Sequence, residues 1–398
     1  MPRFAKSFTQ QEPIPESAIE CAVQIMRSGA LHRYSVIDNQ PSQTALLEAE
    51  FADYLGQRFV LACTSGGYAL HIALKAAGLS YGDKVLCNAY TLAPVPGAID
   101  NAGGVTVLVE SKPDFTIDLD DLEQKAVSDD VNFLVLSHMR GHIVDMDELM
   151  NICDKHNVCV IEDAAHTMGA NWGGKKSGTF GTIGCFSTQT YKHINSGEGG
   201  FISTDDEQVM AKAIMYSGSY MLFDNHIAAP DNSVFENIRL ETPNYSGRMD
   251  NLRAALLRPQ LAALDSNVER WNRLYRTIET NLAGVDDIVI APRQEQEYFV
   301  GSSFQFRLPN FDELAVRAFI ELNAADGVPI KWFGNENPQG YTSRFDSWRY
   351  LGKQSSLPLT LEILATTCDI RVPLTFTVED CHLIASIIKD NVAKMNNQ

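Results

Sequence analysis

The sequence predicts an α/β fold in which a largely parallel sheet is flanked by helices. From residue 58 onward, seven short runs rich in β-branched residues alternate with helical patterns. Several of these runs are apolar throughout, which is typical of strands covered on both faces. The runs read FVLACTS, KVLCNAY, VTVLVES, NFLVLSHM, VCVIEDAA, IGCFSTQ and GGFISTD. Because ligands of such sheets bind beyond the carboxyl ends of the strands, the residues that end these runs are the first candidates for a site.

A smaller α/β domain is expected after this sheet. A long helical pattern runs from Met249 to Leu282, and Pro259 is a candidate for a kink in it. Beyond the helix, the strands SFQFRLP, VPIKWF and DIRVPL accompany the helices DELAVRAFIELNAADG and VEDCHLIASIIKDNVAKMN. We therefore expect a large domain over residues 1–264, which includes an N-terminal segment, and a small domain over residues 265–398.

The composition argues against several classes of protein. The 398 residues carry a formal net charge of −18, which disfavours binding of nucleic acid or of anionic lipid. No apolar run approaches the ~18 residues of a membrane span, and the first residues lack the apolar core of a secretory signal. Eight cysteines occur without a CxxC pair, as expected of reduced thiols. We therefore expect a cytoplasmic protein that does not bind membranes.

A candidate anion site lies in the stretch TSGGYALHIAL. Ser65, Gly66 and Gly67 end a strand and open a helix whose apolar residues follow helical spacing. Glycines there let the backbone approach a phosphate, and the helix N-terminus offers free N–H groups and a favourable dipole. A simple tight turn is the alternative interpretation. The dinucleotide fingerprint GxGxxG is absent.

Acidic and basic side chains end two further strands. Asp163 lies at the end of the apolar run in VCVIEDAAHTMGA, where a carboxylate is tolerated only with a cation or a strong donor as its partner. A helix N-cap or a structural ion pair would also explain it, and His166 could be a core histidine. In FSTQTYKHINSGEGG, Ser187 lies on a strand and Lys192 precedes a glycine-rich turn. An ordinary surface lysine is the alternative there.

One molecule requires all three features. Pyridoxal 5′-phosphate (PLP) needs an anion site, a carboxylate for its protonated ring nitrogen and a lysine amine for its carbonyl. With these residues the chain resembles the DegT/StrS sugar aminotransferases, which are fold-type-I PLP enzymes. The stretches that carry the resemblance are SGGYALHIAL, EDAAHTMGA, FSTQTYKHINSGEGG, NYSGRMDNLRAAL and DIRVPLTFTVEDCHLIASII. The resemblance as a whole covers the chain from about residue 40 to 390.

The resemblance implies catalytic roles for three residues. Lys192 would hold the cofactor as an internal aldimine and would move a proton between substrate and cofactor carbons. Asp163 would keep the pyridine nitrogen protonated, and His166 would lie near the 3-oxygen of the cofactor. An L-glutamate or L-glutamine donor would convert PLP to pyridoxamine phosphate (PMP), and a keto sugar or nucleotide-linked keto sugar would then accept the amine.

Further residues are implied in cofactor binding. Gly66, Gly67 and Ser187 would bind the phosphate. Asn244 would reach the phosphate of the other subunit, so that the active unit would be a homodimer. The stretch NYSGRM has two more residues between Asn and Arg than the usual family pattern, and Ser246 is therefore the alternative donor.

The sequence departs from the family at several positions. A threonine is usual at Gly67. An aromatic residue that stacks on the ring is usual at Leu92, and Tyr90 could replace it. Arg140, in SHMRGH, and Lys331, in VPIKWFG, lie where the acceptor is selected, and both are candidates for substrate contacts; a surface arginine is the alternative for Arg140.

Three other functions would also fit parts of this pattern. The substrate could be a small keto or aldehyde compound that is not a sugar. A PLP-dependent sugar dehydratase of the same fold would have histidine in place of the lysine, whereas here Lys192 occupies that position and His193 follows it. A non-catalytic relative that acts in regulation is the third alternative. A metal site at His138 and His142 is not expected, because Gly141 indicates a loop where their spacing would require a helix.

Overall fold

All seven strands predicted between residues 58 and 205 are present, and they belong to one sheet. The computed structural model describes residues 3–127 and 130–396. Its strands are β1 (Phe59–Cys63), β2 (Lys84–Asn88), β3 (Val105–Val109), β4 (Val131–Ser137), β5 (Cys159–Asp163), β6 (Asn171–Trp172), β7 (Lys175–Lys176), β8 (Ile183–Ser187), β9 (Gly200–Thr204), β10 (Glu297–Tyr298), β11 (Ser303–Arg307), β12 (Lys331–Trp332) and β13 (Thr367–Arg371).

The seven strands are arranged in the order β1-β9-β8-β5-β4-β2-β3. Strand β9 is antiparallel to both of its neighbours, and the remaining pairs are parallel. This confirms the predicted sheet. Since parallel strands end at one edge, the last residues of β4, β5 and β8 lie at the same edge, and Ser137 is paired in register with Asp163. The strand ends singled out in the sequence therefore meet.

Helices cover both faces of this sheet. The helices of the described residues as a whole are α1 (Glu16–Ser28), α2 (Gln43–Leu55), α3 (Gly66–Ala76), α4 (Pro94–Ala102), α5 (Leu119–Ala126), α6 (Met146–Lys155), α7 (Glu207–Ser217), α8 (Phe235–Glu241), α9 (Asn251–Ala262), α10 (Leu264–Leu282), α11 (Glu313–Ala325), α12 (Pro358–Thr366) and α13 (Val378–Asn396). Alternate residues of β1 belong to opposite hydrophobic clusters, Val60 to one and Leu61 to the other. Burial on both faces explains why these strands are apolar throughout. No helix in the described ranges is long and apolar enough to cross a membrane.

A second sheet with the order β11-β13-β12 lies in the C-terminal part of the chain. Its hydrophobic cluster joins Phe304 and Phe306 of β11 to Phe319 of α11 and residues of α13. The N-terminal residues Phe4 and Phe8 also belong to this cluster. Helix α10 contributes to the clusters of both sheets, so the boundary predicted at residues 264 and 265 falls where a shared helix begins.

The helical pattern from Met249 to Leu282 is interrupted, and the interruption does not fall at Pro259, the candidate for a kink. Pro259 lies inside α9, and the break falls at Ala263. A proline lacks the N–H that would bond to the preceding turn. The bond lost here is the one to the Ala255 carbonyl, four residues before Pro259. The helix nevertheless continues past Pro259 to Ala262.

Candidate active site

A cavity of about 470 Å³ lies at the edge of the sheet where β4, β5 and β8 end. Most of the predicted site residues line it, and its opposite wall comes from the C-terminal part of the chain. The predicted residues in its lining are Gly66, Gly67, Arg140, Asp163, His166, Ser187 and Lys192. Residues that are far apart in the sequence are thus brought to one cavity.

One end of the cavity is a glycine-lined cradle at the start of α3. Ser65 caps the helix, and its hydroxyl accepts a hydrogen bond from Tyr68 N over 3.1 Å. A Cβ added to Gly66 would lie 2.8 Å from the Ser187 Cβ, whereas one added to Gly67 would meet nothing nearer than 3.9 Å. The first N–H groups of a helix have no intrahelical partner. The cradle therefore offers backbone donors and the Ser187 hydroxyl to an anion.

The GEGG turn closes the same cradle from behind. A Cβ on Gly200 would lie 2.6 Å from the carbonyl carbon of Ser65. Strand β9 pairs with β1 at this point, with Gly200 opposite Cys63. A side chain at Gly200 would push the Ser65–Gly66 turn away from Ser187, which gives a steric reason for the glycine.

Asp163 is held at the end of β5 by two donors. Its Oδ2 accepts from Ser137 Oγ over 3.1 Å, and its Oδ1 accepts from Ala165 N over 3.2 Å. Burial raises the pKa of Asp163, although Lys192 and these donors oppose the shift. Among the described residues, none is found in an ion pair with Asp163 within 4.0 Å. The carboxylate is thus oriented, and it can still accept a positively charged donor from a ligand.

The neighbouring Glu162 has a different environment, which the sequence analysis did not predict. It points to the other face of β5 and accepts hydrogen bonds from Phe180 N over 2.6 Å and from Gly181 N over 2.7 Å. His138 Nε2 lies 3.0 Å from its Oε2. Despite complete burial, these donors lower the pKa of Glu162. Glu162 therefore anchors the loop between β7 and β8, and His138 is used as its partner.

Lys192 and His166 are in direct contact, since Lys192 Nζ lies 2.7 Å from His166 Nε2. The other ring nitrogen of His166, Nδ1, accepts from the backbone N–H of Arg140 over 3.2 Å. A neutral imidazole with an acceptor at Nδ1 must carry its proton at Nε2. The Nε2–H group therefore faces Lys192 and is satisfied when Lys192 is a neutral amine with a free lone pair.

The electrostatics of the cavity favour this neutral amine. Burial lowers the pKa of Lys192 from 10.5 to about 7; Asp163 opposes the shift, and Arg140 and Arg371 add to it. Burial also lowers the pKa of His166 well below its usual value, and the charge of Lys192 adds to that effect. A neutral lysine is a nucleophile and a base, whereas an ammonium group is neither. The cavity thus contains a reactive amine beside an oriented carboxylate and an anion cradle.

Comparison with known proteins places this architecture in a family. Residues 16–389 match the DegT/DnrJ/EryC1/StrS aminotransferase family. The chain belongs to this family. The match confirms the predicted family and the predicted class of enzyme, an aminotransferase.

Individual relatives share about a third of the aligned residues. GDP-perosamine synthase of Caulobacter vibrioides is 33% identical over 246 residues, which span 62% of this chain and 63% of that relative. A pleiotropic regulatory protein of Geobacillus stearothermophilus is 32% identical over 281 residues, or 69% of this chain and 71% of that protein. A solved PMP-form structure from Streptococcus pneumoniae has a TM-score of 0.84 at 19% identity and covers 98% of this chain and 100% of its own. The last likeness confirms the fold.

Arg140 lies in the cavity of this aminotransferase-family chain, but its charge is already paired. It is 7% exposed, and its Nη2 donates to Asp369 Oδ2 over 2.9 Å. Its backbone is in the left-handed region, with φ 56°, which is uncommon outside glycine and turns its N–H toward His166. The interpretation of Arg140 as a surface charge is wrong. Its predicted contact with a substrate anion stays a prediction.

The sequence analysis missed three residues of the cavity lining. Tyr191, Tyr341 and Arg371 all line the cavity. Tyr341 donates through its hydroxyl to Asp369 Oδ2 over 2.5 Å. Tyr191 lies one residue before Lys192, and Arg371 is the last residue of β13, so a strand-end rule applied to the second sheet would have identified Arg371.

Leu92 faces the cavity, whereas Tyr90 lies in the core behind the cavity wall. Leu92 lines the cavity, as expected for the position of a ring-contacting residue. Tyr90 is 1% exposed and packs against Phe115 and Phe333, with ring centroids 5.8 Å and 5.1 Å away. Tyr90 is therefore a core residue behind the lining, and in this arrangement it cannot stack on a ligand ring.

Three other predicted residues lie on the surface of the single chain. Asn244 and Ser246 are exposed, and Asn244 Oδ1 accepts from Ser246 N over 2.8 Å. Lys331 is exposed on β12 and does not line the cavity. Of the two histidines considered as metal ligands, His138 contacts Glu162 as described, and His142 Nε2 lies 2.9 Å from Gln305 Oε1.

Proposed function

We propose that this protein transfers an amino group from an amino-acid donor to a keto acceptor, with PLP attached to Lys192. The observation that carries the proposal is the contact between Lys192 and His166 in a cavity that also contains Asp163. We infer L-glutamate or L-glutamine as the donor. We infer a keto sugar, free or nucleotide-linked, as the acceptor, because a relative one third identical is a GDP-perosamine synthase.

The residues present fit this cofactor. The cradle at Gly66 and Gly67, together with the Ser187 hydroxyl, offers donors to a phosphate, and a side chain at Gly66 would fill it. Asp163 has a raised pKa and an oxygen edge open to a protonated ring nitrogen. When bound, PLP would supply a carbonyl that accepts an amine and a ring that withdraws electrons.

The side chains of the chain itself would then hold and move protons. With its pKa lowered to about 7, a large fraction of Lys192 is a neutral amine near pH 7, and this amine can take a proton from one carbon of the substrate and return it to a different carbon. His166 Nε2–H points at Lys192 Nζ and orients its lone pair. Asp163 would keep a positive charge on the ring nitrogen by pairing with it in a buried site.

A homodimer with shared sites is part of the proposal. Asn244 and Ser246 would then reach the partner's cradle, since neither lines the cavity of its own chain. Large apolar side chains are exposed on neighbouring segments and would be covered by a second copy. They include Tyr220, Met221, Leu222, Leu240 and Tyr245.

A cytoplasmic location is also proposed. All eight cysteines of the chain are free thiols. Thiols that remain unpaired are typical of proteins in a reducing compartment.

The two catalytic alternatives differ from this proposal in their products. An acceptor that is not a sugar would leave the roles of Lys192, His166 and Asp163 unchanged. A dehydratase would release a deoxy keto sugar without a new amine, and it is disfavoured because Lys192 is present and in contact with His166.

The test follows the absorbance of the bound cofactor. L-glutamate or L-glutamine should abolish the visible band of the holoenzyme. The true acceptor should restore it, and it is sought among nucleotide-linked keto sugars, free keto sugars and small keto acids.

A second test concerns the attachment of the cofactor to Lys192. Borohydride reduction should fix the cofactor to the Lys192 peptide. Lys192→Ala should still bind PLP without attachment and lose at least ~10³-fold in rate, while the exposed Lys389→Ala should resemble wild type. Wild-type rates in Lys192→Ala, or release of a product without a new amine, would contradict the proposal.

A further inference from the structure

Arg371 stands out because it borders two cavities together with Lys192. One is the cavity of about 470 Å³ described above. The other, of about 130 Å³, lies beneath the N-terminal segment and shares Arg371, Lys192 and His166 with the first. Arg371 ends β13 and lies two residues after Asp369, so both side chains point to the same face of that strand.

The guanidinium of Arg371 is oriented but not neutralised. Its central carbon lies 3.7 Å from the centre of the Tyr191 ring and 5.1 Å from that of Tyr341. Its Nη1 is buried and has no hydrogen-bond partner within residues 3–127 and 130–396. Arg371 as a whole is half-buried, and a partly buried charge with an unsatisfied donor favours an anion as its partner.

Asp369 does not supply that anion, although it is close in sequence. Its Oδ2 accepts from Arg140 Nη2 over 2.9 Å and from the Tyr341 hydroxyl, and its Oδ1 accepts from Gln305 over 2.6 Å. The carboxylate is therefore engaged by other donors. Arg140 and Arg371 thus share the single carboxylate of Asp369 at this wall, and neither Asp163 nor Glu198, the carboxylates that line the cavity, lies within 4.0 Å of Arg371 in an ion pair among the described residues, so the charge of Arg371 is left for a ligand.

We propose that Arg371 binds the α-carboxylate of the amino-acid donor. This inference rests on the proposed transamination. The carboxylate of an amino acid is bonded to the same carbon as its amine, so its receptor must lie beside the lysine that exchanges with that amine. Arg371 lies close enough for its charge to contribute to the lowered pKa of both Lys192 and His166.

The chemistry of the group also favours a carboxylate. A guanidinium donates two parallel N–H groups in one plane, which matches the two oxygens of a carboxylate. Contact with the Tyr191 ring restricts the rotation of that plane. The phosphate of a nucleotide-linked acceptor would be many bonds from its reacting carbon, and so would have to bind farther from Lys192.

The experiment compares Arg371→Gln and Arg371→Lys with a matched control. Arg317 is an arginine of the same C-terminal part that also lies over an aromatic ring, 4.9 Å from Trp332, and it is paired with Glu313. Two readouts are used on PLP-loaded protein. The first is the dissociation constant of maleate, a dicarboxylate that cannot react, measured by calorimetry. The second is the rate of the donor half-reaction with L-glutamate and with 4-aminobutyrate, which lacks the α-carboxylate.

Arg371→Gln should weaken maleate binding by ~10- to 100-fold and raise the half-saturating concentration of L-glutamate by a similar factor. Its rate with 4-aminobutyrate should fall by a much smaller factor than its rate with L-glutamate, so the preference for L-glutamate should shrink. Arg371→Lys should recover part of the affinity, and Arg317→Gln should behave as wild type. The visible absorbance of the cofactor should show that every variant still binds PLP.

Wild-type binding of maleate by Arg371→Gln would overturn the assignment. A variant that keeps its maleate affinity but loses affinity for inorganic phosphate would assign Arg371 to an acceptor phosphate and would also overturn it. If the wild-type protein takes an amine from no amino acid, the proposed function fails, yet maleate binding still decides whether Arg371 is a carboxylate site.

Discussion

Two buried polar clusters in this protein, one around Glu48 and one around Asp163, differ in how their charges are paired. Glu48 accepts two hydrogen bonds from Arg33, over 3.0 Å and 2.8 Å, and a third from Ala62 N over 2.7 Å. Although burial opposes it, Arg33 and His226 lower the pKa of Glu48 to about 2. Burial instead raises the pKa of Asp163.

The comparison shows how structural and functional polar groups can be told apart. The Glu48 cluster contains its own cation, so its charges are compensated in the folded chain. The cluster of Asp163, His166 and Lys192 has an unpaired carboxylate and a lysine whose pKa is lowered to about 7. An arrangement that is costly without a ligand indicates the position of that ligand. The first cluster should therefore affect stability, and the second should affect activity.

The largest effect is expected when Asp163 is compared with its neighbour. Asp163→Asn should bind PLP and keep the stability of wild type, because the amide oxygen can still accept from Ala165 N and the amide NH2 can donate to the Ser137 hydroxyl. Its turnover should fall by ~10²- to 10⁴-fold, since a neutral amide cannot keep the ring nitrogen protonated.

Glu162→Gln is the matched control for that variant. It replaces a carboxylate that accepts from three backbone N–H groups. Since each such bond contributes ~1 kcal/mol or more, the variant should have a free energy of unfolding that is lower by a few kcal/mol. Stopped-flow absorbance measures the first effect and urea unfolding the second. Near-normal turnover in Asp163→Asn would remove Asp163 from the proposed site.

A change in the Glu48 cluster should affect stability alone. Glu48→Gln leaves Arg33 buried without a full counter-charge, and breaking such a pair costs about 3–5 kcal/mol. Urea unfolding of the PLP-loaded protein should show this loss, while the folded variant should keep the PLP dissociation constant and the donor half-reaction rate of wild type. A variant of unchanged stability that lost cofactor affinity would show that the two clusters are not independent.

Much of this division was predictable from the sequence. Apolar runs followed by Ser65, Asp163 and Ser187 gave the strands and their functional ends, because the periodicity is local and parallel strands end at one edge. Arg371 was missed because it lines the cavity only when the two sheets come together. Its charge also stays unpaired only because the nearby Asp369 binds Arg140, which is 229 residues away in the sequence.

Other errors have physical causes of the same kind. Tyr90 was expected to contact the cofactor, but side chains alternate as the chain leaves a strand, and the choice between Tyr90 and Leu92 depends on the exact turn. The interruption of the long helical pattern falls at Ala263, whereas Pro259, the candidate for a kink, lies inside α9.

A smaller effect concerns the pH dependence of the apoprotein. The pKa of Lys192 is about 7 in the folded chain against 10.5 ordinarily, so between these values the unfolded chain binds more protons. The free energy of unfolding must then rise with pH across this window. Below about pH 7 the burial of Lys192 destabilises the folded chain by its full amount. Lys192→Met removes the group, so the variant should exceed wild type most at low pH and approach it as the pH nears 10.5.

Urea unfolding of the two apoproteins between about pH 6 and 9.5 measures this difference. Exposed Lys389→Met serves as the control and should show no such trend. A constant difference between Lys192→Met and wild type over this range would mean that Lys192 is not held as a neutral amine.

The smallest effect is expected in the anion cradle, where Gly66 and Gly67 differ in the space around them. Gly67→Thr has room for its side chain, since the nearest atom to an added Cβ is 3.9 Å away, and its hydroxyl can supply a donor that the cradle lacks. One added hydrogen bond to a charged group should tighten PLP binding by up to ~10-fold. Gly66→Ala should weaken it, because its Cβ would lie 2.8 Å from that of Ser187 and displace the hydroxyl. Spectroscopic titration with PLP measures both, and weaker binding by Gly67→Thr with unchanged binding by Gly66→Ala would place the phosphate elsewhere.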